Sequence, residues 1–273
     1  MTRWLALTLL ALCPQDVKLE PKYASGDKAT VVSESTLDVE IASKDGEGEK
    51  TRRLTVSRHE EFSQELMEVA SGKPRMLRVK CTKAALQKSG TNMNPTDMTS
   101  PIEGQTYDVT FGEGTSVKTL TGDPAPAEGE MVGSWMDLVR LLPGKDVKVG
   151  DAWEVEAKNL GATLWIGNIS EIGGKIQCKL ESHADGKATI SFKGSVTGKT
   201  NDGFESKFTV AAGSYVFDTA GGRSASYSMS GELEMTKKVV EKFRKPDSYE
   251  DEYRELGWIT VKSKKLEAKV EFK

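Results

Sequence analysis

The chain predicts a mainly β protein, a strongly curved antiparallel sheet or open β-barrel of about ten to twelve strands, with one or two amphipathic helices packed on it. Three observations predict it. From Lys175 to Met235 apolar residues alternate strictly with Ser, Thr, Lys and Glu: Ile176, Cys178 and Leu180, then Ala188, Ile190 and Phe192, then Phe208 and Val210, then Tyr227 and Met229. Successive side chains of a strand point to opposite faces, so this period means a half-buried sheet with one wet side. Second, the runs are separated by short turn signals, Ala184-Asp-Gly-Lys187, Asn201-Asp-Gly203 and Ala220-Gly-Gly222. Third, Glu130 to Leu142 stands apart, with Met131, Trp135, Leu138, Val139 and Leu142 at helical spacing before the stop Pro143-Gly144.

The elements follow in chain order. Arg3 precedes the uncharged run Trp4 to Leu12, of signal-peptide length and short of the roughly 20 apolar residues that cross a bilayer. Residues 1–13 are therefore expected to be a signal peptide, and the protein to be exported to the periplasm or beyond the cell, with no transmembrane span in the mature chain. A lipid anchor at Cys13 is the less favoured reading, because Leu12 stands where a lipobox carries Gly, Ala or Ser. Residues 14–26 read as a flexible leader, 27–122 as an N-terminal β-rich half, 123–129 as a linker, and 130–273 as a helix followed by the meander. One continuous domain or two both remain open.

Within the first half, Val31, Leu37, Val39 and Ile41 mark a strand, Lys44 to Gly48 a turn, and Leu54 and Val56 the return. Phe62, Leu66 and Val69 sit at helical spacing and predict a helix over His59–Ala70, with a strand closed by Ser71-Gly-Lys-Pro74 as the alternative. Arg75 to Lys83 reads as a basic strand, and Ser89 to Pro101, with Pro95 inside it, as a loop. Tyr107, Val109 and Phe111 lead through Gly112-Glu-Gly114 to Val117, a hairpin. In the second half Val147, Val149, Trp153 and Val155 share a face, and Asn159 to Gly174 reads as a bend or short strand around Leu164-Trp-Ile166. The alternation slips at Ala212-Gly213, after which Tyr215 and Phe217 take the apolar phase; an extra residue beside a glycine predicts a β-bulge. Lys237 to Arg254 is a charged crossing that leads to Trp258–Val261 and a last strand, Leu266 to Phe272.

Composition excludes more chemistry than it offers. With 38 basic and 41 acidic residues and a net charge of −3, there is no clustered basic excess to bind nucleic acid. The two histidines, His59 and His183, stand far apart, so no metal ligand set is expected. No Gly-x-Ser-x-Gly elbow introduces a nucleophile, and Gly112-Glu-Gly114 lacks the third glycine and the helix of a phosphate loop. Glu60-Glu61 and Glu250-Asp-Glu252 lie in charge-rich stretches where carboxylates stay ordinary. No catalytic residue, cofactor or metal is therefore expected. Cys178 reads as a small buried hydrophobe, and whether it pairs with Cys81 is left open by the spacing.

Leu142-Pro-Gly-Lys-Asp-Val-Lys-Val-Gly-Asp-Ala-Trp-Glu-Val155, Gly213-Ser-Tyr-Val-Phe-Asp218, Gly222-Arg223 and Ser230-Gly-Glu-Leu233 resemble segments of uncharacterised exported β-rich bacterial proteins, a planctomycete-type domain of unknown function. The resemblance implies export and a β-rich fold, and it carries over no site residue. The function expected is non-enzymatic: an envelope or secreted protein that binds a lipid-like small molecule or an envelope protein in a groove between helix and sheet. The groove candidates are Met131, Trp135, Leu138, Phe192, Phe208 and Tyr227. The alternative is an assembly module pairing through an edge strand or through the face that carries Ser224, Ser226, Ser228 and Ser230. A hydrolase of envelope polymer is a third, weaker reading.

Overall fold

The computed structural model describes residues 16–45, 48–111, 115–119, 121, 132–160, 169–200, 202–244 and 251–273. The expected signal peptide with Cys13, the linker 123–129, Met131 and the Leu164-Trp-Ile166 bend lie outside the described residues. Among the described residues twelve strands make one antiparallel sheet. They are β1 (Lys28–Asp45), β2 (Gly48–Ala70), β3 (Lys73–Gly90), β4 (Met93–Thr99), β5 (Thr106–Phe111), β6 (Thr115–Thr119), β7 (Ala152–Glu156), β8 (Ile169–Ala184), β9 (Lys187–Thr200), β10 (Glu205–Asp218), β11 (Arg223–Arg244) and β12 (Asp251–Phe272). The spatial order is β6-β5-β3-β2-β1-β12-β11-β10-β9-β8-β7, with β4 pairing β3 off this path. Pairing of β1 with β12 makes the sheet continuous across both halves of the chain.

Several expectations need correction. The strand path is open and does not curl back on itself: among the described residues β6 and β7 each lack a second strand neighbour, so the strongly curved sheet or barrel is replaced by one open sheet. Nor does any α-helix occur among the described residues. Glu130–Leu142 was expected to hold one; the described part contains a 3-10 helix, Ser134–Leu141. The physical reason is the period of its buried face. Val132, Trp135, Leu138 and Leu141 recur every third residue and are all buried, which is the repeat of a 3-10 turn and not the 3.6 of an α-helix.

The segment His59–Ala70 is the end of β2, not a helix. Phe62 and Leu66 are four apart, a spacing that suits a strand of period two as well as a helix; pairing with β1 on one side and β3 on the other decides between them. Register shifts flank Glu68, so Val69 leaves the simple alternation and gives the appearance of helical phase. Ser71 and Gly72, at φ 53° and 72°, close the β2–β3 hairpin. Ser89–Pro101 is a second hairpin, not a loop, because β4 folds back on the end of β3. Pro95 is tolerated there: it falls within the register shift and β4 pairs on one side only. Of the charged crossing Lys237–Arg254, residues 237–244 and 251–254 belong to the paired ends of β11 and β12, strands of 22 residues each, and the remainder lies outside the described residues.

The bulge at Ala212-Gly213 is present in both ladders of β10. It turns Tyr215 and Phe217 inward, where both are fully buried. One core joins Ile176, Leu180, Ile190 and Phe208 of the meander to Phe62, Leu77, Val79 and Tyr107 of the other half.

Candidate functional site

Two covers lie on the sheet and frame an apolar cavity. The first is residues 16–27. Val17 and Val147 exchange backbone hydrogen bonds of 2.7 and 3.1 Å, Lys22 N donates to Gly222 O at 2.8 Å, and Gly26 N donates to Leu66 O at 2.7 Å. The segment therefore passes from the approach to β7, by the β10–β11 turn, to β2. Gly222 is required at that crossing: its φ is +66°, and a Cβ there would stand 2.5 Å from Cγ of Lys22. Within this strap Val17 and Leu19 are themselves buried in the core, an alternation visible in the sequence of residues 14–26.

The second cover is the 3-10 helix, held at both ends by indoles. The Trp135 ring packs on Phe62 with centroids 4.8 Å apart, and its Nε1 donates to Gln64 Oε1 at 2.8 Å. At the other end Trp153 Nε1, from β7, donates to the Leu141 carbonyl at 2.8 Å. Each bond satisfies an indole N–H that burial would otherwise strand.

Between the covers and the sheet is a cavity of about 220 Å³. Its apolar lining is Tyr23, Leu66, Leu77, Met136, Val139 and Phe272, and its polar lining is Lys22, Asp27, Lys28, Gln64, Arg223 and Ser224. Trp135 and Leu138 are on the same 3-10 helix but belong to its buried row; Met136 and Val139, each one position on, face the cavity. Phe192, Phe208 and Tyr227 are buried on the inner face of the meander, where Phe192 stacks on Tyr227 at 5.4 Å. None of these five lines the cavity. Sequence reasoning did not single out Tyr23, Leu66 or Leu77. Leu66 and Leu77 are cross-strand partners near the Ser71-Gly72 turn, and pairing them in register would have found them.

The opposite, solvated face holds a larger and more open concavity of about 630 Å³. The register sets Ser228, Lys269, Glu34 and His59 in a row across it. Its charges are already matched: His59 lies 3.3 Å from Glu34 and 2.9 Å from Glu61, and Lys269 is 2.6 Å from Glu271. The hydrogen bond from His59 holds the Glu61 carboxyl below its ordinary range. This trough is roomier, but the smaller and less open cavity is the better candidate, since concave apolar surface with a few placed polar groups is what small ligands occupy.

Elsewhere the chemistry is quiet. Among the described residues no three His, Cys, Asp or Glu side chains stand together to hold a metal. His183 is exposed and bonded to Thr219 at 3.1 Å. Cys81 and Cys178 are free and buried, and burial pushes both thiols up to about 12. Among the described residues no helix is long and apolar enough to cross a membrane, which leaves spanning by strands untouched.

No family model matches the chain, and no curated protein matches it. Among solved structures, a crystal structure of a domain described as an outer membrane lipoprotein-sorting protein from Vibrio parahaemolyticus is similar at 8% identity, covering 85% of this chain and 84% of that one, with a TM-score of 0.14. A superposition that weak carries nothing over to this chain.

Proposed function

We propose that this is a non-enzymatic binding protein of the cell envelope or the extracellular space, and that its cavity takes a lipid-like small molecule. The observation that carries the reading is the lining of the 220 Å³ cavity, in which six apolar or aromatic side chains converge under a strap and a 3-10 helix. At roughly 30 Å³ per methylene-sized unit, that volume suits the hydrocarbon part of a chain of about seven to eight carbons. The test is calorimetric titration of the protein with 1-octanol, a neutral chain of this size. One saturable site is expected, lost in Met136→Trp, which fills the cavity from the 3-10 helix, with far-UV circular dichroism unchanged. No saturable heat from the unmodified protein sinks the proposal.

The edge-strand reading is less well supported. The β7 edge is only five residues long, and Glu154 and Glu156 flank it with charge held by Lys175 at 2.8 and 3.9 Å. Short, charged edges resist pairing with another chain.

A further inference from the structure

We infer that the cavity selects a chain with an anionic head, a medium-chain carboxylate, and that Arg223 and Lys22 receive that head; the inference rests on the apolar-ligand reading above. It comes from an inventory of the polar lining. Three cations, Lys22, Lys28 and Arg223, face one carboxylate, Asp27. That carboxylate is turned to its own backbone, with Oδ2 accepting from Ala24 N at 2.8 Å. Lys28 is shared with Glu65 at 3.5 Å. Lys22 Nζ donates to the Ala220 carbonyl at 3.2 Å, and Glu20, on which it acts electrostatically, is ion-paired with Lys18 at 2.7 Å. Arg223 makes no hydrogen bond or ion pair with any described residue; its cross-strand neighbour Asp218 turns Oδ1 to the backbone N–H groups of Ala220 and Gly221 at 3.0 and 2.9 Å.

The neutral groups lean the same way. The Gln64 carbonyl is occupied by Trp135 Nε1, which leaves its amide N–H groups for the cavity. The Ser224 hydroxyl is engaged with Tyr215 at 2.8 Å. Donors thus outnumber acceptors in the lining, which favours a ligand whose polar end accepts. Lys22 and Arg223 are placed at one end, because Lys22 N is bonded to Gly222 O, the residue before Arg223. A carboxylate between them gains charge-assisted bonds, and the planar guanidinium can meet both of its oxygens. The rest of the chain then extends along Leu66, Leu77, Met136 and Val139.

The experiment compares octanoate, 1-octanol and acetate by calorimetry at low salt on the full chain. Octanoate is expected to bind at least about tenfold more tightly than octanol, as one charge-assisted bond at a partly wet site allows. Acetate is expected not to bind. Arg223→Gln should bring octanoate down to the level of octanol measured on the same variant, and 1 M NaCl should narrow the gap in the unmodified protein. Equal binding of octanoate and octanol overturns the anionic head and leaves the apolar reading standing. An octanoate preference that survives Arg223→Gln combined with Lys22→Gln overturns the assignment to these two residues. Acetate binding as tightly as octanoate overturns it as well, and failure of all three ligands takes down the apolar reading itself.

Discussion

The ring of Phe192 lies directly on Gly213: a Cβ built on that glycine would stand 2.2 Å from Cε2 and Cζ of the ring. The two are cross-strand partners in β9 and β10, and the ring stacks at 5.4 Å on Tyr227 of β11, the strand beyond. A glycine in mid-strand normally weakens a sheet, and here the aromatic ring supplies the missing contact. Gly231 repeats the device, with Cε2 of Phe208 at 3.0 Å from its virtual Cβ.

Gly213→Ala is therefore expected to destabilise by about 1–3 kcal/mol, the usual cost of overpacking a filled core. The ring cannot swing clear, since Phe192 is buried and stacked. Adding Phe192→Leu should make the pair of changes less costly than their sum, measured by urea unfolding. Strict additivity would show that ring and glycine are not coupled.

Trp135 should behave as an anchor of the cover. Trp135→Ala is expected to cost about 3–5 kcal/mol through the void left on Phe62. Trp135→Phe keeps the ring contact but strips the Gln64 carbonyl of its indole donor, and should cost about 1 kcal/mol. Denaturant midpoints of the two variants check the order; equal costs would locate the energy in the hydrogen bond alone.

Cys81 and Cys178 set an alkaline limit. Their folded thiols are raised from 9.0 to about 12 by burial, so their contribution is fully present below pH 9 and is lost as pH rises toward 12. Unfolding free energy should fall over that window by about 1.4 kcal/mol per pH unit for each thiol, and Cys178→Ala should remove one share of the slope. At pH 8 a thiol-specific reagent should label neither cysteine in the native protein and both after unfolding, with the sites read by mass spectrometry.

Asp108 and Arg78 form a two-point pair across β3 and β5, at 2.9 and 3.2 Å. The Asp108 side chain is 13% exposed and that of Arg78 42%. Removing the arginine leaves a nearly buried carboxylate without its guanidinium, whereas removing the aspartate releases an arginine to water. Arg78→Ala should therefore lower the thermal midpoint more than Asp108→Ala, and the double change should recover part of the loss. The reverse order would mean that Asp108 is solvated in the folded protein.

Legibility in the sequence followed the period of the pattern. The meander from Lys175 to Met235 was readable because strict alternation has one structural meaning, and even its bulge showed as a slip at Ala212-Gly213. The helix expected before Leu142 was misassigned in type: Met131, Trp135, Leu138 and Leu142 fit an α period, while the row that is buried, Val132, Trp135, Leu138 and Leu141, repeats every third residue. Phe62 and Leu66 satisfied two periods at once, so only their ladder partners could choose. The site was the least legible part. Trp135 marks the right segment, and Val139 falls within its helical pattern, but Met136 and Tyr23 of the strap, which also line the cavity, carry no periodic signal of their own.

The sequence by itself determined which faces are wet and which are dry, where the hairpins turn, and that metal and nucleophile motifs are missing. These are local properties, set by side-chain polarity at a fixed spacing and by glycines that permit left-handed turns. Tertiary structure alone decided that β1 pairs with β12, that residues 16–27 bind across the β10–β11 turn to β2, and that Lys22 and Arg223 meet at one end of an apolar cavity. Those outcomes depend on contacts between residues as many as 243 positions apart, from Thr30 to Lys273, and backbone pairing at that range leaves no mark in the order of the side chains.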